Sequence, residues 1–164
     1  MANPGDSSVI NGTTYTVVNN STIANQIADG NVNLCTTLVT DMSSMFLYAR
    51  SFNQDIEFWD VSNVTNMDVM FFGASKFNKK IGGWKTSKVT QMLSLFMDAS
   101  AFNQDIGNWD TSNVSEMTSM FRGASSFNQN LSNWCVINIS TKPDSFAFNS
   151  AIKLVDKPLW GDCP

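Results

Sequence analysis

Residues 102–125 read FNQDIGNWDTSNVSEMTSMFRGAS, and residues 52–75 read FNQDIEFWDVSNVTNMDVMFFGAS. Between them, FNKKIGGWKTSKVTQMLSLFMDAS at 77–100 keeps the same frame with more substitutions, so the period is 25 residues. Outward from these blocks, Trp59, Trp84, Trp109 and Trp134 form one column, and Phe46, Phe71, Phe96, Phe121 and Phe146 a second. Met42, Met67, Met92 and Met117 form a third; Phe52, Phe77, Phe102 and Phe127, each followed by Asn, form a fourth. A fixed period of this length marks an array whose units bury their apolar faces only against their neighbours.

Within residues 59–83, Val64, Met67, Met70, Phe71 and Ala74 fall at the spacing of one helix face. Ser62 stands where an N-cap belongs, and Gly73 and Gly123 where a helix ends. The stretch from Phe77 to Trp84 is too short for a second helix and reads as a short strand or extended turn. The expected fold is therefore an α/β solenoid. It is a leucine-rich-repeat-like right-handed coil of about five 25-residue repeats, each with one short helix and one short strand or extended turn, capped at both ends. Residues 1–33 are assigned to an N-terminal cap, 34–133 to four repeats, and 134–164 to a degenerate fifth repeat and C-terminal cap. In the first cap, Asn11-Gly12 between Ser8 and Val18 marks a hairpin turn, and Ser21 to Asp29 a short helix. Near the end Pro143 interrupts the expected helix, while Phe146 keeps the sequence register. The Trp column reads as core, since structural positions of a repeat stay fixed. The Asn column reads as inward side chains bonded to the backbone of the next repeat.

The 164-residue chain has no histidine. That excludes Ser-His-Asp and Cys-His catalysis and His-ligated metals. Net charge is −4 with ten Lys and Arg, and no basic block occurs, so nucleic acid is not an expected partner. No apolar run reaches the ~18 residues that span a bilayer, and nothing at the N-terminus reads as a signal peptide, so no membrane insertion of this segment is expected. Asp55, Lys80, Asp105 and Asn130 form one polar column, and Asp60, Lys85, Asp110 and Cys135 another. Lys interrupts both, which fits stacked opposite charges better than a calcium ladder. No cofactor and no metal is assigned.

Cys35 and Cys135 lie four periods apart, about 20 Å at the ~5 Å spacing of stacked strands, beyond disulfide reach. Cys135 and Cys163 form the natural pair; the alternative is that all three cysteines are reduced. A disulfide favours an extracellular or cell-surface setting.

The quoted blocks resemble the BspA-like bacterial surface protein repeat, a family of about 25-residue units related to leucine-rich repeats. The resemblance covers about residues 34–150. GDSSVINGTTYTVVNN at 5–20 and KPLWGDCP at 157–164 resemble the segments that bracket such arrays. Family members carry a Cys just ahead of the first segment, where this chain has Met1 and Ala2, which leaves Cys35 without that partner. The family implies a secreted or surface-displayed protein with adhesion or matrix interaction, and it implies no catalytic residues.

The candidate binding surface is the variable apolar set. Leu47, Phe72 and Met97, with Arg122, follow the fixed Phe; Tyr48, Val69 and Leu93 are nearby, and Phe58 occupies a turn where other repeats have Gly83, Asn108 and Asn133. Apolar side chains in otherwise polar columns mark interaction surfaces. The expectation is a non-enzymatic surface or secreted repeat module that binds a protein or glycan at the cell surface and is monomeric as a domain. The alternative is a structural spacer or stalk of a larger surface protein.

Overall fold

The computed structural model describes residues 2–164. Regular secondary structure is concentrated at the start. Strand β1 (Ser7–Ile10) pairs antiparallel with β2 (Thr13–Asn19) across the Asn11-Gly12 turn, where both residues have positive φ. Helix α1 (Ile23–Ala28) follows, and β3 (Leu34–Leu38) pairs parallel with β2. The single sheet has the order β1-β2-β3. Beyond it, among the described residues, lie a 3-10 turn at Leu154–Asp156 and isolated parallel bridges that link Asp41, Asn66, Gln91 and Glu116 in turn.

The α/β solenoid with a helix and a strand in each leucine-rich-repeat-like coil is therefore overturned. Residues 39–150 are built from turns, with no helix at 64–74 and no strand at 77–84. The physical reason lies in the amides. Those of Met45, Leu47 and Ala49 donate three residues back, to Met42, Ser44 and Phe46. Those of Met42, Ser44, Phe46 and Tyr48 donate to Asn66, Asp68, Met70 and Phe72 of the next repeat, at 2.7–3.0 Å. Ser44 and Tyr48 have φ of 60° and 55°, and such left-handed residues break a helix, their own amides pointing outward to Asp68 and Phe72. Consecutive three-residue turns bring i and i+3 together as a helix does, so the apolar spacing is the same for both. Gly73 and Gly123, at φ 69° and 72°, occupy the Tyr48 column and are not helix ends.

The same amide pattern recurs at 67–73 and 92–98, so the chain stacks as 25-residue layers. Between layers, the rings of Phe46, Phe71, Phe96 and Phe121 stack at 5.3, 5.5 and 5.7 Å, and those of Phe52, Phe77, Phe102 and Phe127 at 5.7–5.9 Å. Trp59, Trp84, Trp109 and Trp134 are each at most 4 % exposed. The indole N–H of Trp84, Trp109 and Trp134 donates to the carbonyl of Ile56, Ile81 and Ile106 in the preceding layer, at 3.3, 3.0 and 3.1 Å. Each of these carbonyls also accepts the amide of Trp59, Trp84 or Trp109 at 3.1 Å, so a buried Trp fills the core and satisfies its own indole N–H as the carbonyl's second donor. The buried hydroxyls of Thr36, Thr86 and Thr111 do likewise, donating to the carbonyls of Asp60, Asp110 and Cys135. No buried side-chain polar atom is left without a partner among the described residues.

The Asn column does bond to the next layer: Oδ1 of Asn53, Asn78 and Asn103 accepts the amide of Asn78, Asn103 and Asn128, each at 3.0 Å. It does so from the surface, not from an inward position, since Asn53, Asn78 and Asn128 are exposed. The last layer slips by one residue. Phe121 donates to Phe146, where Phe96 donates to Met120. Phe146 therefore stands in the Met70 and Met120 column despite its place in the sequence period, and its ring meets Phe121 edge-on at 83°.

Candidate functional site

The sequence-derived surface residues separate into two places. Leu47, Tyr48, Val69, Phe72, Leu93 and Met97 all lie on the turn segment that carries the outward amides. Its alternation decides their exposure: the fixed Phe points into the core, and the following residue lies on the rim. Leu47 and Tyr48 are exposed by 39 % and 57 %, while Val69, Phe72, Leu93 and Met97 are half-buried. The rings of Tyr48 and Phe72 meet at 4.9 Å with a tilt of 47°. Tyr48 lies over Gly73, where a Cβ would stand 2.6 Å from its Cδ1, so the absence of a side chain at 73 seats the Tyr ring. Val69 adopts φ 52°, a costly conformation for a β-branched residue.

The column following the fixed Phe continues further than the 25-residue period indicates. Tyr48, Gly73, Asp98 and Gly123 donate their amides to Phe72, Met97, Arg122 and Phe148. Phe148, 58 % exposed, is therefore the fifth member of the Leu47, Phe72, Met97, Arg122 column. The strict period puts Ala147 there, and the slip after Ile139 replaces it. The one sequence signal was Pro143, which marks the irregular stretch.

Phe58 does not join this rim. Its ring packs edge-on against Tyr15 of β2 at 5.6 Å and, with Ile10, Leu34, Cys35 and Asp60, lines a cleft of about 310 Å³. Cys35 is free and exposed there, its Sγ 3.6 Å from Thr37 Oγ1. Cys135 and Cys163 are joined in a disulfide.

The acidic columns serve the backbone. Oδ1 of Asp55, Asp60, Asp105 and Asp110 accepts the amide two residues ahead, of Glu57, Ser62, Gly107 and Ser112. These are Asx turns, and they explain the recurrence of Asp better than stacked charges do. Ser62, through its hydroxyl and then its amide, holds the Asp60 carboxyl below the usual carboxylate range; the Lys85 charge is the smallest contributor. Asp68 moves the other way. Partial burial raises its carboxyl, the charges of Glu116 and Asp41 add to that, and the Leu93 amide on Oδ1 at 2.7 Å opposes it. Among the described residues, no three His, Cys, Asp or Glu side chains gather as a metal site.

A family profile described as "Mycoplasma protein of unknown function, DUF285" matches residues 14–134, more than half of the chain. The chain belongs to that family. The match begins in β2 and ends at Trp134, so it leaves out β1 and takes in β2, α1, β3 and the four regular layers. No curated protein and no solved structure matches the chain.

Proposed function

We propose that this chain is a non-enzymatic surface or secreted module that binds a protein or glycan through the rim formed by Leu47, Tyr48, Phe72, Met97 and Phe148. The observation that carries the reading is the Tyr48–Phe72 ring pair, 4.9 Å apart at the surface and in line with the rest of the column. Surface aromatic and Met side chains supply apolar contact area at low entropy cost and are enriched in interfaces. Arg122 breaks the apolar line and adds a bidentate donor for a carboxylate. The resemblance of the repeat to BspA-like surface proteins supports the same reading. So does the setting: the chain has a disulfide, and among the described residues no helix is long and apolar enough to cross a membrane. Both facts are compatible with an extracellular or cell-surface protein.

The test is binding of the labelled chain to an array of extracellular matrix proteins and glycans, beside a Phe72→Ser, Met97→Ser double variant with an unchanged melting curve. Saturable binding that the variant loses supports the rim. Binding that survives overturns it in favour of another face. No binding by either form favours the spacer or stalk.

A further inference from the structure

The two ends of the layer stack are closed on some sides and open on one. At the first layer, Asn20 Oδ1 accepts the amides of Thr40 and Asp41 at 2.8 and 3.2 Å, and β2 pairs with β3. At the last, the amides of Leu131 and Val136 donate to Asp156 and Asp162 of the C-terminal segment at 2.7 and 2.8 Å, and the Cys135–Cys163 disulfide fastens that segment. The turn segment is treated differently. Every joint between layers there has amides of one layer donating to carbonyls of the next. In the last layer the corresponding amides, of Ser145, Ala147 and Asn149, have no acceptor among the described residues. In the first layer the corresponding carbonyls, of Ser43, Met45 and Leu47, have no donor among the described residues. Ser145 and Asn149 keep φ of 53° and 59°, matching the 60° and 55° of Ser44 and Tyr48 that aim these amides outward. The last turn is thus shaped for a joint that it does not make within the chain.

The acceptor end is reachable. A groove of about 330 Å³ runs between Ile23 and Ala24 of α1, Asn20, and the turn at Ser43, Ser44 and Met45. The donor end carries Phe148, Leu154, Val155 and Leu159, exposed by 58–83 %. Open donors on one end and open acceptors on the other, in one register, fit two copies of the same chain. We propose that the terminal turn of one chain docks head to tail in the groove beside α1 of a second copy, with Ser145, Ala147 and Asn149 donating to Ser43, Met45 and Leu47. The contact joins different surfaces, so it propagates from chain to chain, into open filaments or closed rings, and does not stop at a dimer. It departs from the monomer expected from sequence. It also places Phe148 of one copy beside Leu47 of the next, which carries the binding rim across the joint.

The experiment is sedimentation equilibrium from micromolar to millimolar protein, with Cys35→Ser throughout so that no intermolecular disulfide contributes. The parent is expected to grow in mass with concentration beyond two chains. Ala147→Pro removes an amide that makes no bond within the chain, and Ala24→Arg fills the groove from an exposed helix position. Each is expected to hold at the mass of one chain. Their equimolar mixture is expected to form a two-chain complex and nothing larger, because one variant keeps an open tail and the other an open groove. Ala24→Arg keeps the proposal testable if Ala147→Pro disturbs the last turn. A parent that holds one-chain mass at every concentration overturns the proposal, as does growth that Ala24→Arg leaves intact. A mixture of two folded variants that forms no complex overturns it too.

Discussion

The amide of Gly123 donates to the carbonyl of Phe148 at 2.8 Å, a step of 25 residues, whereas the amide of Gly73 reaches Met97, a step of 24. One additional residue after Ile139 thus moves Phe148 onto the rim and Phe146 into the Met column. Phe148→Ser should lower partner binding as Phe72→Ser does. It should shift stability by no more than about 0.5 kcal/mol, since the ring is largely in solvent. Parallel binding isotherms and urea melts check both halves. Unchanged binding removes Phe148 from the rim.

Gly73 is required by its φ of 69° and by the Tyr48 ring above it. Gly73→Ala should destabilise by at least about 1–2 kcal/mol, the cost of a left-handed L-residue, with the ring contact added. In a Tyr48→Ala background the contact part disappears and the conformational part stays. A double-mutant cycle on urea melts separates them, and strict additivity of the two changes contradicts the seating of Tyr48.

Trp109→Phe keeps an aromatic ring but removes the indole donor to Ile81. The Ile81 carbonyl keeps the amide of Trp84 at 3.1 Å, so the loss is that of one hydrogen bond, about 0.5–1.5 kcal/mol, and the smaller ring adds a cavity. The expected sum exceeds the loss for Phe58→Leu, a half-exposed ring outside the stack. Equal losses from thermal or chemical unfolding would argue against the indole tether.

The disulfide closes a separation of 28 residues. On the loop-entropy relation, the Cys135→Ser, Cys163→Ser double variant should lose about 3–4 kcal/mol. Tail residues 156–162 should then exchange their amides faster than the Trp109 layer does. Uniform exchange after the change would mean the tail is held by its own packing.

Asp68 and Asp60 carry opposite pH signatures. The folded carboxyl of Asp68 is raised, so its contribution is present below the unfolded value and is lost as pH rises through the folded one. Asp68→Asn keeps an acceptor for Leu93, and it should be at least as stable as the parent at neutral pH, with that advantage gone in acid. The folded carboxyl of Asp60 is lowered, so its contribution is present above the unfolded value and is lost as pH falls through the folded one. Asp60→Asn should therefore be less stable at neutral pH and nearly equal to the parent in strong acid. Melting temperatures across pH 2–7 check both signs, and a common sign for the two variants contradicts the environments described.

The 25-residue period alone determined which residues become neighbours. Trp84 and Trp109, or Asn78 and Asn103, meet because a chain that repeats its apolar frame without insertion buries it best by stacking equivalent positions. The composition likewise determined that the core is aromatic. The backbone inside each layer was decided only in the tertiary structure. A spacing of three to four residues serves a helix and a run of turns equally, and the left-handed Tyr48, Val69 and Asp98 carry no glycine to announce themselves. Phe58 illustrates the limit on the site: its variability in the repeat is visible, but its partner is Tyr15 of a different element, reached through β2 pairing. Phe148 illustrates it again, since a single added residue near Pro143 changes which side chain faces solvent. Local spacing fixes what can be buried together, while the direction of each amide depends on whether the next layer is there to accept it.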